Sequence, residues 1–482
     1  MRTSRLAWLA QLLALVLCTA QVQSQSPFAL DAAFRAGINS IYVTSVAPFP
    51  DGSVLLSGQI QFPDDEFPRG SAKVLPDGSQ DLGFPPFPQT IGGGNITPWQ
   101  EGYYIGVGQT VRRLFASGYV DPSFILMNSG PYFSSVQGGD YHVFPDGRVL
   151  MSGAHVLSDT QRGFEGLYSL IWFSNEGYLD TTRIHRYCDE VIFEIEAQPS
   201  GKFLCSGTMN AYEGQPVKRI FRVLSDGALD NSFDADIQQW GEAFVFETLP
   251  DQRVLAGGVF KRPGSTDTLG LLRFLPDGNL DATFHMPLLK ANFIPYPALA
   301  YVLDVLVMPN GNLVITGRFD EVDGQVRGGI AMLDMDGNLL DEAFTGQGCG
   351  RYNYNGTLYK GISGITPGPD GSYYIHGAYH GYDDGITNDT TQRMVSRLYG
   401  LDVGVLESGQ KPFVRLWPNP ANSNLNVELS ELVQPPVQLE LNDLLGRVIL
   451  SQWCWSSICT WNVECIAPGP YTSSRSATAQ PN

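Results

Sequence analysis

Short apolar runs separated by turn residues recur along most of this chain. Val54-Leu55-Leu56, Val149-Leu150-Met151 and Leu313-Val314-Ile315 are apolar at successive positions. A strand covered on both faces reads this way, whereas a half-solvated strand alternates. Each run follows a tight turn and ends at a glycine. The clearest copy is Phe49-Pro50-Asp51-Gly52-Ser53-Val54-Leu55-Leu56-Ser57-Gly58. The second glycine of successive copies is Gly58, Gly108, Gly153, Gly207, Gly258, Gly317 and Gly377, at intervals of 50, 45, 54, 51, 59 and 60 residues. Six positions before each stands the turn residue: Gly52, Gly102, Gly147, Gly201, Gln252, Gly311 and Gly371. Asp-Gly and Asn-Gly supply the positive φ that a tight hairpin needs, and only Gln252 breaks the series.

Each unit has a second half: a strand, an Asp-Gly turn, then Leu-Asp-x-x-Phe or a close variant. Its copies end at Asp81 and Phe84, Asp121 and Phe124, Asp180 with Arg183 in the aromatic place, Asp230 and Phe233, Asp281 and Phe284, and Asp341 and Phe344 after one extra residue. The seventh unit stops at Ser396-Arg397-Leu398-Tyr399. Its missing end stands at the other terminus, as Leu30-Asp31-Ala32-Ala33-Phe34. A row of repeats has no use for half a unit at each end. A ring does, because the N-terminal piece completes the last unit and removes the free sheet edges. The pattern therefore predicts an all-β chain with a seven-bladed β-propeller over residues 25–405, its seam joining 28–36 to 395–402. An open β-solenoid is the alternative.

The recurring P-D-G-x-φ-φ-φ-x-G followed by R-x-φ-x-x-D-G-x-L-D-x-x-F resembles the delta-60 repeat family of bacterial β-propellers. The resemblance covers about residues 28–402 and carries no shared catalytic motif.

Composition narrows the picture. Gly 53, Pro 32 and only 16% charged residues suit a turn-rich β chain. A net charge of −19 lacks the basic stripe that phosphate recognition requires, so nucleic acid is excluded as partner. Arg2 and Arg5 precede the short apolar run Leu6–Leu17, and small residues follow. This predicts a secretory signal over residues 1–24, cut after Ala20 or Ser24. No later stretch is long enough to span a bilayer as a helix. Cys188 and Cys205 read either as a bridge between adjacent strands or as two buried thiols.

Beyond a polar linker at 406–412 the repeat gives way to a small β-sandwich-like domain over 413–482. Trp417-Pro418-Asn419-Pro420, Asp443-Leu444-Leu445-Gly446-Arg447 and Pro468-Gly469-Pro470-Tyr471 mark it. These residues resemble the type A sorting domain of the type IX secretion system of Bacteroidota. The resemblance implies the type IX machinery as a partner, with export through the inner membrane and then secretion or attachment at the outer-membrane surface. Thr472–Asn482 departs from it, showing no strand pattern.

Candidate chemistry is thin. His376 and His380 stand four apart, and Asp320, Asp323, Asp383 and Asp384 cluster after the second glycine of their copies. They are the candidate metal ligands, with calcium the cation such carboxylate loops would take, although no complete calcium-loop motif is present. The reading otherwise assigns no cofactor and no catalytic residue. The slot two residues after the glycine holds His155, Met209, Phe260, Phe319 and Tyr379. It is either a set of rim contacts for a protein or glycan or packing between blades. The sequence thus favours a monomeric binding scaffold on the cell surface or secreted. The alternative is an extracellular hydrolase or lyase with acid and base drawn from loops of several blades.

Overall fold

The structure is a computed structural model. It describes residues 27–401 apart from 40, 86–90, 126–132, 162, 262–263, 265–267 and 293–298. Beyond 401 it describes 414–417, 424–429, 437–442, 448–454, 458–462 and 477–478. The signal segment 1–24 and the linker 406–412 lie outside the described residues. The chain divides into two compact units, Met1–Gly404 and Val405–Asn482.

The first unit is all β. Among the described residues six three-stranded antiparallel sheets and a five-stranded seventh follow in chain order, beside one smaller three-stranded sheet and two two-stranded ones. The first consists of Tyr42–Pro48, Val54–Ile60 and Arg69–Val74. The fifth consists of Gly241–Thr248, Val254–Phe260 and Leu269–Phe274. The middle strand of each carries the apolar run, and in the fifth sheet it is buried throughout. Its side chains serve two cores, one on each face. Core clusters lie between neighbouring sheets, as where Leu255 and Leu271 of the fifth meet Val302 and Leu313 of the sixth. One cluster joins Val43 and Val54 of the first sheet to Tyr374 and Val395 of the seventh, so the row closes on itself.

The seam is the half unit. Ala29 and Leu30 pair with Tyr399 and Leu398. The Asp31 amide donates to the Arg397 carbonyl at 2.9 Å, as Asp281 does to Arg273 within its own unit. Closure gives every sheet two covered faces, which is why the runs do not alternate.

The repeated residues are fasteners. Arg113, Arg222, Arg273 and Arg397 donate to Asp121, Asp230, Asp281 and Asp31 at 2.7, 2.7, 2.8 and 2.7 Å. Each guanidinium also lies over its unit's phenylalanine, as Arg273 does over Phe284 at 4.7 Å. Arg113 and Arg222 reach on to the carbonyls of Asn175 and Pro276, in the next sheet's turn, at 2.8 and 3.0 Å. In the sixth unit Met332 takes the arginine's place. There Arg327 comes from another position to pair with Asp341 and cover Phe344 at 5.5 Å. The aspartate's other oxygen accepts from residues two further on, for example Thr283 N at 3.0 Å, so its role is to shape the turn.

The second glycine is fixed by close approach. A Cβ at Gly207, Gly258 or Gly317 would stand 2.0–2.2 Å from a carbonyl oxygen at the start of the first strand. Just there the first strand carries a β-bulge, between Ile192 and Glu194, Ala243 and Val245, and Val302 and Asp304. The residue before the glycine ties its sheet to the next. Ser57 Oγ donates to Gly94 O at 2.6 Å, and Ser206 Oγ accepts from Ala243 N at 2.8 Å.

The second unit has two three-stranded sheets. One joins Val414–Trp417, Asn424–Leu429 and Ile458–Asn462; the other joins Val448–Cys454, Val437–Asn442 and Ala477–Thr478. The last strand falls in the tail, where the sequence shows no strand pattern. Its pairing with Gln438 and Leu439 uses backbone groups, which need no apolar alternation.

Candidate functional site

The sequence-derived metal candidates are each engaged elsewhere. Asp320 pairs with Lys360 and accepts from Asn292 N at 2.7 Å. Asp323 accepts from Leu288 N at 2.8 Å and bonds His285 Nε2 at 3.0 Å. Asp383 accepts from Gly385 N at 2.8 Å. Asp384 caps the amides of Ile386 and Thr387 and holds the seam by accepting from Leu30 N at 2.9 Å. The two histidines part company. His376 fills the Ser/Thr place and donates from Nε2 to Thr44 O at 2.9 Å, fastening the seventh sheet to the first. His380 stacks on Tyr352 with ring centroids 4.0 Å apart. Burial lowers both imidazoles to about 4, with Arg393 adding to the effect at His380. Among the described residues no group of three His, Cys, Asp or Glu side chains is placed to hold a metal ion.

The rim contacts require correction. His155, Met209, Phe260, Phe319 and Tyr379 are all 0% exposed, so none presents a surface to a partner. At His155, Phe260 and Tyr379 the strand continues two residues past the glycine, and alternation turns the second of these back inside, as in Val54–Ile60. Packing between blades is their role. Cys188 and Cys205 are buried free thiols of one core.

Two features were missed. The first is a group of carboxylates on consecutive first strands: Asp140, Glu194, Glu196, Glu247 and Asp304. From the third sheet to the seventh, and on to the first, the first strands of neighbouring sheets contact one another, which places these strands innermost. Burial raises Asp140 and Asp304 to about 6 and Glu196 to about 7. Glu194 is raised well above the usual carboxylate range by burial, then by the charges of Asp140, Glu196 and Asp304. Spread over the chain at blade spacing, these residues form no local motif. The one local sign is Glu194-Ile195-Glu196, two acids at strand period.

The second feature is a pair of clefts beside the second glycines. One, about 200 Å³, lies between the second and third sheets and is lined by Gly108, Gln109, Asp140 and Tyr141 among others. The other, about 280 Å³, spans the fourth to sixth sheets. Thr208 and Val259, each one residue after its glycine, help line it, with Arg219, Trp240, Glu242, Phe244 and Tyr301. Phe244 is the residue of the first-strand bulge, and bulges commonly re-aim a side chain.

A closed ring of repeated sheets with these fasteners is the architecture of a β-propeller. Residues 198–233, 249–284 and 309–339 match the β-propeller domain of unknown function DUF5122, and each segment spans the turn–strand–turn unit derived above. Residues 415–480 match the secretion system C-terminal sorting domain, across the departure after Tyr471. The chain is thus a β-propeller that carries matches to this repeat family over three of its units and a match to a secretion sorting domain over 415–480. That domain directs export and attachment at the outer-membrane surface or secretion. No helix among the described residues is long and apolar enough to cross a membrane.

No curated protein matches the chain. Solved structures do. One is the extracellular domain of a putative hybrid two-component system, BT4673, from B. thetaiotaomicron: 10% identity, TM-score 0.40, 89% of this chain covered. The match spans 55% of that domain's length. Another is PorZ, an essential surface component of the type IX secretion system of Porphyromonas gingivalis: 12% identity, TM-score 0.30, 87% of this chain and 77% of that one.

Proposed function

We propose that this protein is a binding scaffold, exported by way of its N-terminal signal and C-terminal sorting domain, that works as a monomer and presents one end of its propeller to a ligand. The observation that carries this reading is the position of the two clefts. Both lie beside the second glycines, hence at one end of the sheets, and both are walled by side chains from neighbouring sheets. Residues there differ from copy to copy, whereas the fasteners recur. Sites at the mouth of a repeated ring are built this way, with constant packing below and variable groups above. Purified exported protein applied to glycan and protein arrays tests it, with expected retention of one ligand class. Turnover of an applied polysaccharide sinks the binding-only reading.

The innermost carboxylates favour a second reading, an extracellular hydrolase or lyase. Carboxyls held near 6 and 7 suit general acid and base roles at neutral pH. Under this reading Glu196→Gln abolishes any polysaccharide turnover while leaving ligand retention on the arrays in place.

A further inference from the structure

The larger cleft carries more than its position. Arg219 and Glu242 both face it, close enough for the guanidinium's charge to act on the carboxyl. They form no ion pair. Arg219 Nε and Glu242 Oε2 are instead buried without a hydrogen-bond partner. Buried polar atoms are nearly always satisfied, so two unsatisfied atoms of opposite character in one cleft point to something that completes both. Burial raises the Glu242 carboxyl in spite of the nearby guanidinium.

Three aromatic side chains, Trp240, Phe244 and Tyr301, also line it, beside Val259 and Leu299. Phe244 and Tyr301 meet edge to face with centroids 5.4 Å apart, and Lys261 Nζ lies over the Trp240 ring at 4.6 Å. Gly241 sets Trp240 and Glu242 on this wall. Its φ is +79°, and a Cβ there would stand 1.8 Å from Val259 O.

These groups define the occupant's chemistry. It must donate to a carboxylate, accept from a guanidinium and offer an apolar face to aromatic rings. A simple anion meets Glu242 and is repelled; a simple cation meets Arg219 and is repelled. A pyranose satisfies all three demands. Its neighbouring hydroxyls each donate and accept, and its C–H face packs on an aromatic ring. About 280 Å³ sits near the lower end of small-molecule sites, the scale of a short saccharide.

We propose that the cleft formed by Arg219, Trp240, Glu242, Phe244 and Tyr301 binds a neutral saccharide unit of a larger glycan. This rests on the binding-scaffold reading and names its ligand class. The test is isothermal titration of the full-length exported protein with maltotriose, cellotriose and mannotriose. Trigalacturonate and the zwitterion glycylglycine serve as the competing chemistries. At least one neutral trisaccharide is expected to bind at millimolar concentration or below. Trp240→Ala and the near-isosteric Glu242→Gln should each weaken it more than tenfold. Glu242→Gln removes a desolvated charge and should keep the wild-type thermal midpoint, so lost binding is not lost folding. Binding of trigalacturonate or glycylglycine alone overturns the saccharide assignment and leaves the scaffold reading standing. Failure of every neutral probe to bind, or binding unchanged in both variants, also overturns the assignment. Turnover of a polysaccharide overturns the scaffold reading instead.

Discussion

Arg273 is fully buried and donates to Asp281, eight residues further along the chain, at 2.8 Å. The pair cannot be dissolved from one side only. Removing the guanidinium leaves a 6%-exposed carboxylate next to Phe284 with only the partly exposed Arg253, at 3.1 Å, as counter-charge. Arg273→Met should therefore cost about 1–3 kcal/mol, less than the range for leaving a buried charge with no partner. Adding Asp281→Asn should recover part of it. Urea unfolding midpoints of the single and double variants measure both. The sixth unit shows that a methionine is tolerated there, but only with Arg327 supplying the charge.

The innermost carboxylates give the propeller an alkaline weakness. Their folded pKa values are raised, to about 6 for Asp140 and Asp304 and about 7 for Glu196. The folded state therefore holds protons that the unfolded chain has lost, and stability falls as pH rises through the folded pKa. Buried His155, His185 and His376 and half-buried His380, each lowered to about 4, act the other way. Their stability is complete above the unfolded histidine pKa of about 6.5 and is lost below it. The two sets oppose each other between about 4 and 6.5, and only the carboxylates act above that. The thermal midpoint should fall between about pH 6.5 and 8. Glu196→Gln should flatten that slope, as read by calorimetry across the interval.

Gln252 occupies the turn position that five other units give to a glycine with φ near +80°, and its own φ is +69°. A side chain in the left-handed region is strained, and this one is exposed. Gln252→Gly should stabilise the propeller by about 1 kcal/mol after the glycine's greater unfolded-state entropy is subtracted. An upward shift in the urea midpoint at unchanged slope is the expected readout.

Asp384, a metal candidate from sequence, is here a seam residue. Asp384→Ala removes the acceptor for Leu30 N and for two turn amides. A loss of about 1–3 kcal/mol should follow. Hydrogen exchange should quicken at Ala29–Asp31 while the third sheet keeps its protection.

The repeat was legible because its glycines answer to backbone geometry. Gly258 stands where a Cβ meets Glu242 O, and a constraint of that kind recurs wherever the fold recurs. The seam was legible for the same reason, Leu30-Asp31 being an ordinary second-half ending. Phe260 is inward because its strand runs two residues past the glycine, an extension that no turn or repeated residue marks in the sequence. Glu194, Glu247 and Asp304 escaped notice because first strands precede the turn and carry no recurring residue. What gathers them is closure of the ring, which no local window contains. Arg219 and Glu242 are likewise brought together across two sheets.

The partners at the seam are also the farthest apart in the chain. Leu30 and Asp384 are 354 residues apart, and Asp31 and Arg397 are 366. Each other sheet completes itself from residues near at hand, but the seventh waits for a strand made first to meet one made last. Loop closure over such a span is slow, while neighbouring sheets assemble from short-range contacts. A chain emerging N-terminus first therefore keeps its Ala29–Leu30 edge unpaired until nearly all of the propeller has been delivered. Until then the seventh sheet lacks the edge strand that the chain's first described residues supply.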